Sequence, residues 1–285
     1  MPKSILVTGA STGIGRAATL ALLAEGFEVF AAVRNEQAAA ALRDSTTPAA
    51  RDRLVTLELD VTNAEQIHAA AAKIGAAVGE RGLWGLFNNA GIAVSGPLET
   101  LPVDALRRQL EVNVIGQVAV TQAFVPLLRK ARGRILSTGS IAGFFAAPVL
   151  GPYSMSKYAM EAFSDALRRE LRPWGIDVSL LEPGAIATDI WRKGTGEFDE
   201  VLRAPPPGLV ERYGPLVEAL RKAAAHSAAH ASPTGVVEHA VVHVFTSARP
   251  RTRYRMGKDS TSRKVLSKLP DRWIDAIVAR IFHWG

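Results

Sequence analysis

Between Ser4 and Glu182 six short apolar runs alternate with five helix-periodic stretches, and this alternation constrains the fold more than any other feature of the chain. The runs are Ser4–Thr8, Glu28–Val33, Arg53–Leu59, Trp84–Phe87 running out into Asn88-Asn89-Ala90-Gly91, Arg134–Ser137 and Ile176–Leu181. Between them lie helical patterns at Arg16–Glu25, Glu36–Asp44, after Asp60-Val61-Thr62, at Val103–Lys130, and from Tyr153 to Arg172, where Pro173 stops the last. Thr62 or Asn63 can cap the third helix, with Glu65 in its first turn. Strand and helix in strict alternation predict a parallel sheet covered on both faces, a doubly wound α/β fold. A helix at Pro233–Ser247 and a strand near Arg251–Arg255 bring the sheet to seven strands. With 285 residues and 48% hydrophobic content the chain can bury one large core. The expected organisation is one domain over residues 1–257 and a helical extension over 258–285. Between about 185 and 232 the pattern loosens around Trp191, Phe198, Pro205-Pro206-Pro207-Gly208, Tyr213 and Pro215, which reads as a long functional loop of short amphipathic pieces.

The first strand runs directly into Gly9-Ala10-Ser11-Thr12-Gly13-Ile14-Gly15 and then a helix. Strand, glycine turn and helix in that order form a loop that can hold a dinucleotide: the glycines let backbone approach a pyrophosphate, and the helix offers free N–H groups at its positive end. What ends the second strand bears on the cofactor. An acid there would hold a ribose 2′-hydroxyl; here Val33 is followed by Arg34-Asn35, and an arginine fork suits a 2′-phosphate. NADP(H) is therefore the favoured cofactor, with Glu36 near enough to keep NAD(H) open. Asp60, at the end of the third strand, can accept from an adenine amino group or serve only its own turn.

Tyr153 and Lys157 are four apart on a helix and so share a face. Neither a phenol near pH ~10 nor an ammonium near ~10.4 is a useful acid–base group alone. A cation beside the phenol favours phenolate and is expected to draw the tyrosine toward neutrality. Ser140, thirteen positions earlier at the end of a strand, can hydrogen-bond the same substrate oxygen. Asn113 sits among Val112, Val114 and Ile115 within a helical pattern, so it is expected to be buried and to need partners.

Composition removes several classes. Zero cysteines exclude disulfides, a thiolate nucleophile and cysteine-bound metal. No run of eighteen apolar residues is present, and the apolar strand begins at Ser4, so neither a spanning segment nor a leader is expected, which is compatible with a cytoplasmic protein. The formal charge of +7 is confined to the tail: residues 249–285 carry ten Lys/Arg and three Asp/Glu, and the rest carries 24 of each. Few aromatics interleave with these arginines before Trp273, which argues against a nucleic-acid partner. The amphipathic stretch Asp271–Trp284 is instead expected to rest on a membrane surface, a second subunit or its own domain.

Taken in order, Thr8-Gly9-x-x-x-Gly13-x-Gly15, Asp60, Asn89-Ala90-Gly91, Asn113, Ser140, Tyr153-x-x-x-Lys157 and Pro183-Gly184-x-x-x-Thr188 resemble the short-chain dehydrogenase/reductase family over about residues 3–257. The resemblance implies a Rossmann-type sheet and hydride transfer between a nicotinamide and a carbonyl or alcohol carbon. It implies Tyr153 as proton donor or acceptor, Lys157 as modulator and ribose ligand, Ser140 as orienter of the substrate oxygen, and Asn113 as support for a proton-relaying water. It also implies cofactor contacts from Gly9, Ser11, Thr12, Gly13, Ile14, Gly15, Arg34, Asp60, Val61, Asn89, Ala90, Gly91, Tyr153, Lys157, Pro183, Gly184, Ile186 and Thr188. Arg251-Thr252-Arg253-Tyr254 and the ending Leu269-Pro270-Asp271-Arg272 look like the retinol and 17β-hydroxysteroid dehydrogenase branch, and the long loop with Trp191 and Phe198, together with Phe144-Phe145, suggests a bulky apolar ketone or secondary alcohol. Small or acyl-type ketones, or a cofactor-binding regulator without turnover, are the alternatives. Relatives of this kind commonly pair through the helices bearing Asn113 and Tyr153, so a homo-oligomer is expected.

Overall fold

The computed structural model describes residues 2–188, 208–257 and 260–281. Seven parallel strands form one sheet in the order β3-β2-β1-β4-β5-β6-β7. They are β1 Ser4–Val7, β2 Glu28–Val33, β3 Leu54–Glu58, β4 Gly85–Asn88, β5 Arg134–Thr138, β6 Asp177–Pro183 and β7 Arg253–Met256. Side chains alternate across each strand, so β1 sends Ile5 and Val7 to one face and Leu6 to the other. The first face, with Val29, Ala31, Phe87, Leu136 and Leu181, packs under α1 (Gly13–Ala24) and α8 (Gly235–Thr246), whose Phe245 is buried. The second, with Phe30, Leu86 and Ile135, packs under α3 (Ala64–Val78) and α5 (Gly116–Ala131). Burial on both faces explains why the runs read as continuous apolar rather than alternating.

Asn63, not Thr62, caps α3, accepting from Gln66 N at 3.1 Å. Asn35 caps α2 (Glu36–Asp44) in the same way, accepting from Ala38 N at 2.9 Å. The stretch expected as one helix from Val103 is continuous, with α4 (Val103–Leu110) passing through a π-helical turn, Glu111–Ile115, into α5. The whole rod of 29 residues is apolar enough to cross a bilayer by length and composition. It lies instead along the sheet, with Val120, Phe124 and Leu128 in the second core.

The reading of 185–232 as short pieces needs correction. Within it Leu209–Ala229 is one helix of 21 residues, α7. Pro215 and Gly214 hid it, yet the helix continues through the proline. Its first turns dock on the loop before α4, where Glu99 accepts from Tyr213 Oη at 2.5 Å and pairs with Arg212 at 3.4 Å. Trp191, Phe198, Pro205-Pro206-Pro207, Phe282 and Trp284 lie outside the described residues. The tail divides in two. The short α9 (Ser260–Leu266) packs on the domain: fully buried Ser260 donates from Oγ to Glu182 O at 3.0 Å. Lys264 and Arg263 lie over the rings of Phe144 and Phe145, at 4.3 and 5.2 Å from their centres. Beyond it α10 (Asp271–Ile281) leaves Trp273 65% exposed.

Candidate active site

Parallel strands all present their carboxyl ends at one edge, and strand order reverses between β1 and β4, which opens a crevice there. The loop after β1 is glycine by necessity at two positions. Gly9 has φ +62°, and a Cβ on it would lie 2.8 Å from Ala90 Cα; one on Gly15 would lie 2.2 Å from Gly9 O and 2.5 Å from Asn89 Nδ2. The two loops are stitched together: Thr8 Oγ1 accepts from Asn89 N and Ala90 N at 2.9 and 3.1 Å, and Asn89 Nδ2 donates to Thr8 O and Gly9 O at 3.0 and 3.2 Å. Thr12 precedes α1 in extended conformation without a side-chain capping bond, leaving first-turn N–H groups for an anion.

Arg34 is exposed at the end of β2. Asp60 Oδ1 accepts from Thr62 N at 2.9 Å and Thr62 Oγ1 at 2.7 Å. Burial works against the ionised carboxyl, but these bonds and the Arg34 charge outweigh it and hold Asp60 below the usual carboxylate range.

α6 (Gly151–Leu171) starts with Pro152 in its first turn, where a missing N–H costs nothing, and carries Tyr153 and Lys157 one turn apart. Both are buried, as is Ser140. Ser140 Oγ accepts from Ala142 N at 3.1 Å and is hydrogen-bonded to the Tyr153 phenol. Lys157 Nζ donates to Thr138 O at 2.8 Å and lies 5.5 Å from the centre of the Tyr153 ring. Burial pushes the phenol up to about 12 against the Ser140 bond, and pushes the ammonium down to about 8. The expectation that Lys157 draws Tyr153 toward neutrality is therefore not met in the chain by itself. Burial penalises the charged form of each group, raising the phenol and lowering the ammonium.

A cleft of about 290 Å³ joins these parts, and every position expected for site or cofactor lines it except Gly15 and Asn113. Gly15 lies under the loop, against Gly9 O. Asn113 is in the π-turn behind the cleft wall: its Oδ1 accepts from Ile92 N at 2.8 Å, and its Nδ2 donates to Ile92 O at 2.9 Å and Ser156 Oγ at 3.1 Å. Its amide is thus taken up by protein. Sequence reasoning missed Thr138, whose carbonyl holds Lys157, and Ile92 and Ala93, which wall the cleft. It also missed Gln109, Gln117 and Ser156, although polar residues four apart in an apolar helix were a usable signal. The bare glycine backbone, the uncapped helix end and the exposed Arg34 suit a dinucleotide.

The model of the family described as short chain dehydrogenase matches residues 3–197. A 17-beta-hydroxysteroid dehydrogenase type 6 of Bos taurus is 40% identical over 287 residues, covering 98% of this chain and 88% of its own. A retinol dehydrogenase 16 of Homo sapiens is 36% identical over 286 residues, covering 97% and 87%. A short chain dehydrogenase from Burkholderia cenocepacia, solved in complex with NADP, superposes with a TM-score of 0.72 at 25% identity over 97% of each chain. The chain belongs to the short-chain dehydrogenase/reductase family, in its retinol and 17β-hydroxysteroid dehydrogenase-like branch, and is an NAD(P)-dependent oxidoreductase.

Proposed function

We propose that the protein interconverts an apolar ketone and its secondary alcohol with NADP(H), using Tyr153 as the acid–base group. The observation that carries this reading is the juxtaposition of Ser140, Tyr153 and Lys157 on one buried face of the cleft. In reduction, Tyr153 Oη gives its proton to the substrate oxygen while Ser140 Oγ donates a second hydrogen bond to it. In oxidation, Tyr153 takes the proton back. The phenol, held neutral by burial, is loaded for donation. Lys157, anchored on Thr138 O, keeps a positive charge in the site below about pH 8 and stabilises the phenolate left after transfer. Bound nicotinamide supplies or accepts the hydride. Gly9, Ser11, Thr12, Gly13 and Ile14 would hold the pyrophosphate by backbone approach, and Ile186 and Thr188 the nicotinamide end. Asn113 acts as a positioning residue.

Arg34 supports the NADP(H) preference, and so does Glu36, the acid that could have held a ribose hydroxyl, because it is ion-paired with Arg43 on α2. The apolar substrate class rests on Ile92, Ala93, Val112 and Ile186 along the cleft and on the names of the relatives. We assign the tail two roles: α9 packs on the domain beside Phe144 and Phe145, and α10 offers an anionic membrane surface its exposed Trp273, with Lys268 and Arg272 alongside. Incubation with NADPH and a panel of steroid-like, retinoid-like and small ketones, followed by absorbance of the reduced nicotinamide, tests the reading. Absence of NADPH oxidation with every ketone would remove it.

A further inference from the structure

Four polar side chains at positions 109, 113, 117 and 121 face four alternate residues of the segment leaving β4. Gln109 Oε1 accepts from Val94 N at 2.6 Å and its Nε2 donates to Ile92 O at 3.1 Å. Asn113 brackets Ile92 from both sides, as described above. Gln117 Nε2 donates to Ala90 O, and Asn88 Nδ2 donates to Thr121 Oγ1 at 2.7 Å. Each step of four residues on the rod thus matches a step of two on the strand extension. The dimensions agree: four helical residues rise about 6.0 Å and two extended ones span about 6.6 Å. Phase is the harder condition, because four residues of a straight α-helix turn about 400° and a series spaced by four drifts about 40° per step. The π-turn Glu111–Ile115, with its wider i→i+5 winding, turns less per residue and takes that drift back in the middle of the series. All four side chains are buried, Gln109 completely.

The same ladder reaches the helix of Tyr153. Ser156 Oγ, fully buried, lies 3.1 Å from Asn113 Nδ2 and 3.4 Å from Gln109 Nε2, and donates to Tyr153 O at 2.7 Å. Ser156 is therefore the node between the cleft wall, Ala90 to Ala93, and the turn of α6 that carries the phenol and the ammonium.

We infer that Gln109 and Ser156 are positioning residues for proton transfer at Tyr153, setting the Ile92 wall and the Tyr153 turn in one register. The inference rests on the acid–base role given above to Tyr153. Buried amides that bracket a single backbone unit from both sides tolerate little displacement, since a freed N–H or C=O cannot find water there. A wall and a phenol held in common reach the reacting oxygen with one geometry, and small misplacements in such sites cost rate rather than cofactor affinity.

The test uses the full chain with NADPH and the best ketone of the panel, measuring kcat, KM and the NADPH dissociation constant well below the melting temperature. Ser156→Ala and Gln109→Leu are expected to lower kcat about tenfold while NADPH affinity stays within twofold. Gln109→Glu keeps an acceptor and, when its carboxyl is protonated, a donor. Its kcat is expected to match the parent in acid and to fall at lower pH than the limb that loss of the Lys157 charge gives the parent. Parent-like kcat in Ser156→Ala together with a parent-like pH profile in Gln109→Glu overturns the inference, whether or not Gln109→Leu folds. Tyr153→Phe run in parallel separates the two levels: if it retains turnover the acid–base reading itself has failed, and if it is inactive any failure belongs to the ladder alone.

Discussion

Lys157 Nζ stands 5.5 Å from the centre of the Tyr153 ring, and its hydrogen bond runs to the Thr138 carbonyl at 2.8 Å. The pair is buried, and burial moves its members in opposite directions, the phenol up to about 12 and the ammonium down to about 8. The phenol is thereby kept protonated, as a proton donor must be. Tyr153→Phe should lower turnover at least a hundredfold, within the range expected for loss of acid–base help, and leave NADPH affinity within about threefold. Steady-state kinetics beside a direct NADPH titration check both parts, and a variant within tenfold of the parent rate would falsify the assignment.

The depressed lysine has a consequence for stability. Its folded value of about 8 lies below the ordinary 10.5, so between those values the unfolded chain binds more protons and stability rises with pH. Below pH 8 the buried ammonium costs about 3 kcal/mol relative to the neutral amine. The tyrosine acts in another window, withdrawing stability only as pH rises from 10 toward 12. Lys157→Met should therefore gain on the parent at pH 7, and that relative gain should shrink by pH 10. Urea denaturation of both proteins at the two pH values measures it; an unchanged difference would show that the ammonium carries no such burden.

Arg34→Ala should narrow or reverse the preference for NADPH over NADH. A charge-assisted bond to phosphate contributes roughly 1.5–3 kcal/mol, about ten- to a hundredfold in cofactor affinity, and the change should fall on the cofactor KM rather than kcat. Parallel kinetics with both cofactors decide the matter. Equal efficiency of the parent with NADPH and NADH would end the claim before any mutation is made.

The tail should be cut after Leu269 rather than after Gly257, because α9 is tied to the domain through Ser260 and Glu182. The shortened enzyme should keep its melting temperature and its activity on small ketones, and should no longer float with vesicles containing anionic phospholipid. Flotation of the parent with neutral and anionic vesicles is the control. If the parent fails to float, and truncation changes its oligomeric state, the exposed face of α10 meets a second copy instead.

Residue order alone determined the parallel sheet, the glycine loop between strand and helix, and part of the cleft lining. The reason is local: a buried parallel strand is a short apolar run, a helix start after glycines announces itself, and the pair Tyr153 and Lys157 needs only helical spacing to share a face. Three things depended on tertiary structure. The opposite shifts of Tyr153 and Lys157 follow from desolvation, which depends on everything packed around both groups and has no signature in the five residues from 153 to 157. The helix Leu209–Ala229 continues through its proline, and its first turns meet Glu99, more than a hundred positions away, through Tyr213 and Arg212. The π-turn at Glu111–Ile115 arises where Gln109, Asn113 and Gln117 must all meet the backbone of Ala90 to Val94, a demand of registration between two distant segments that neither segment expresses by itself.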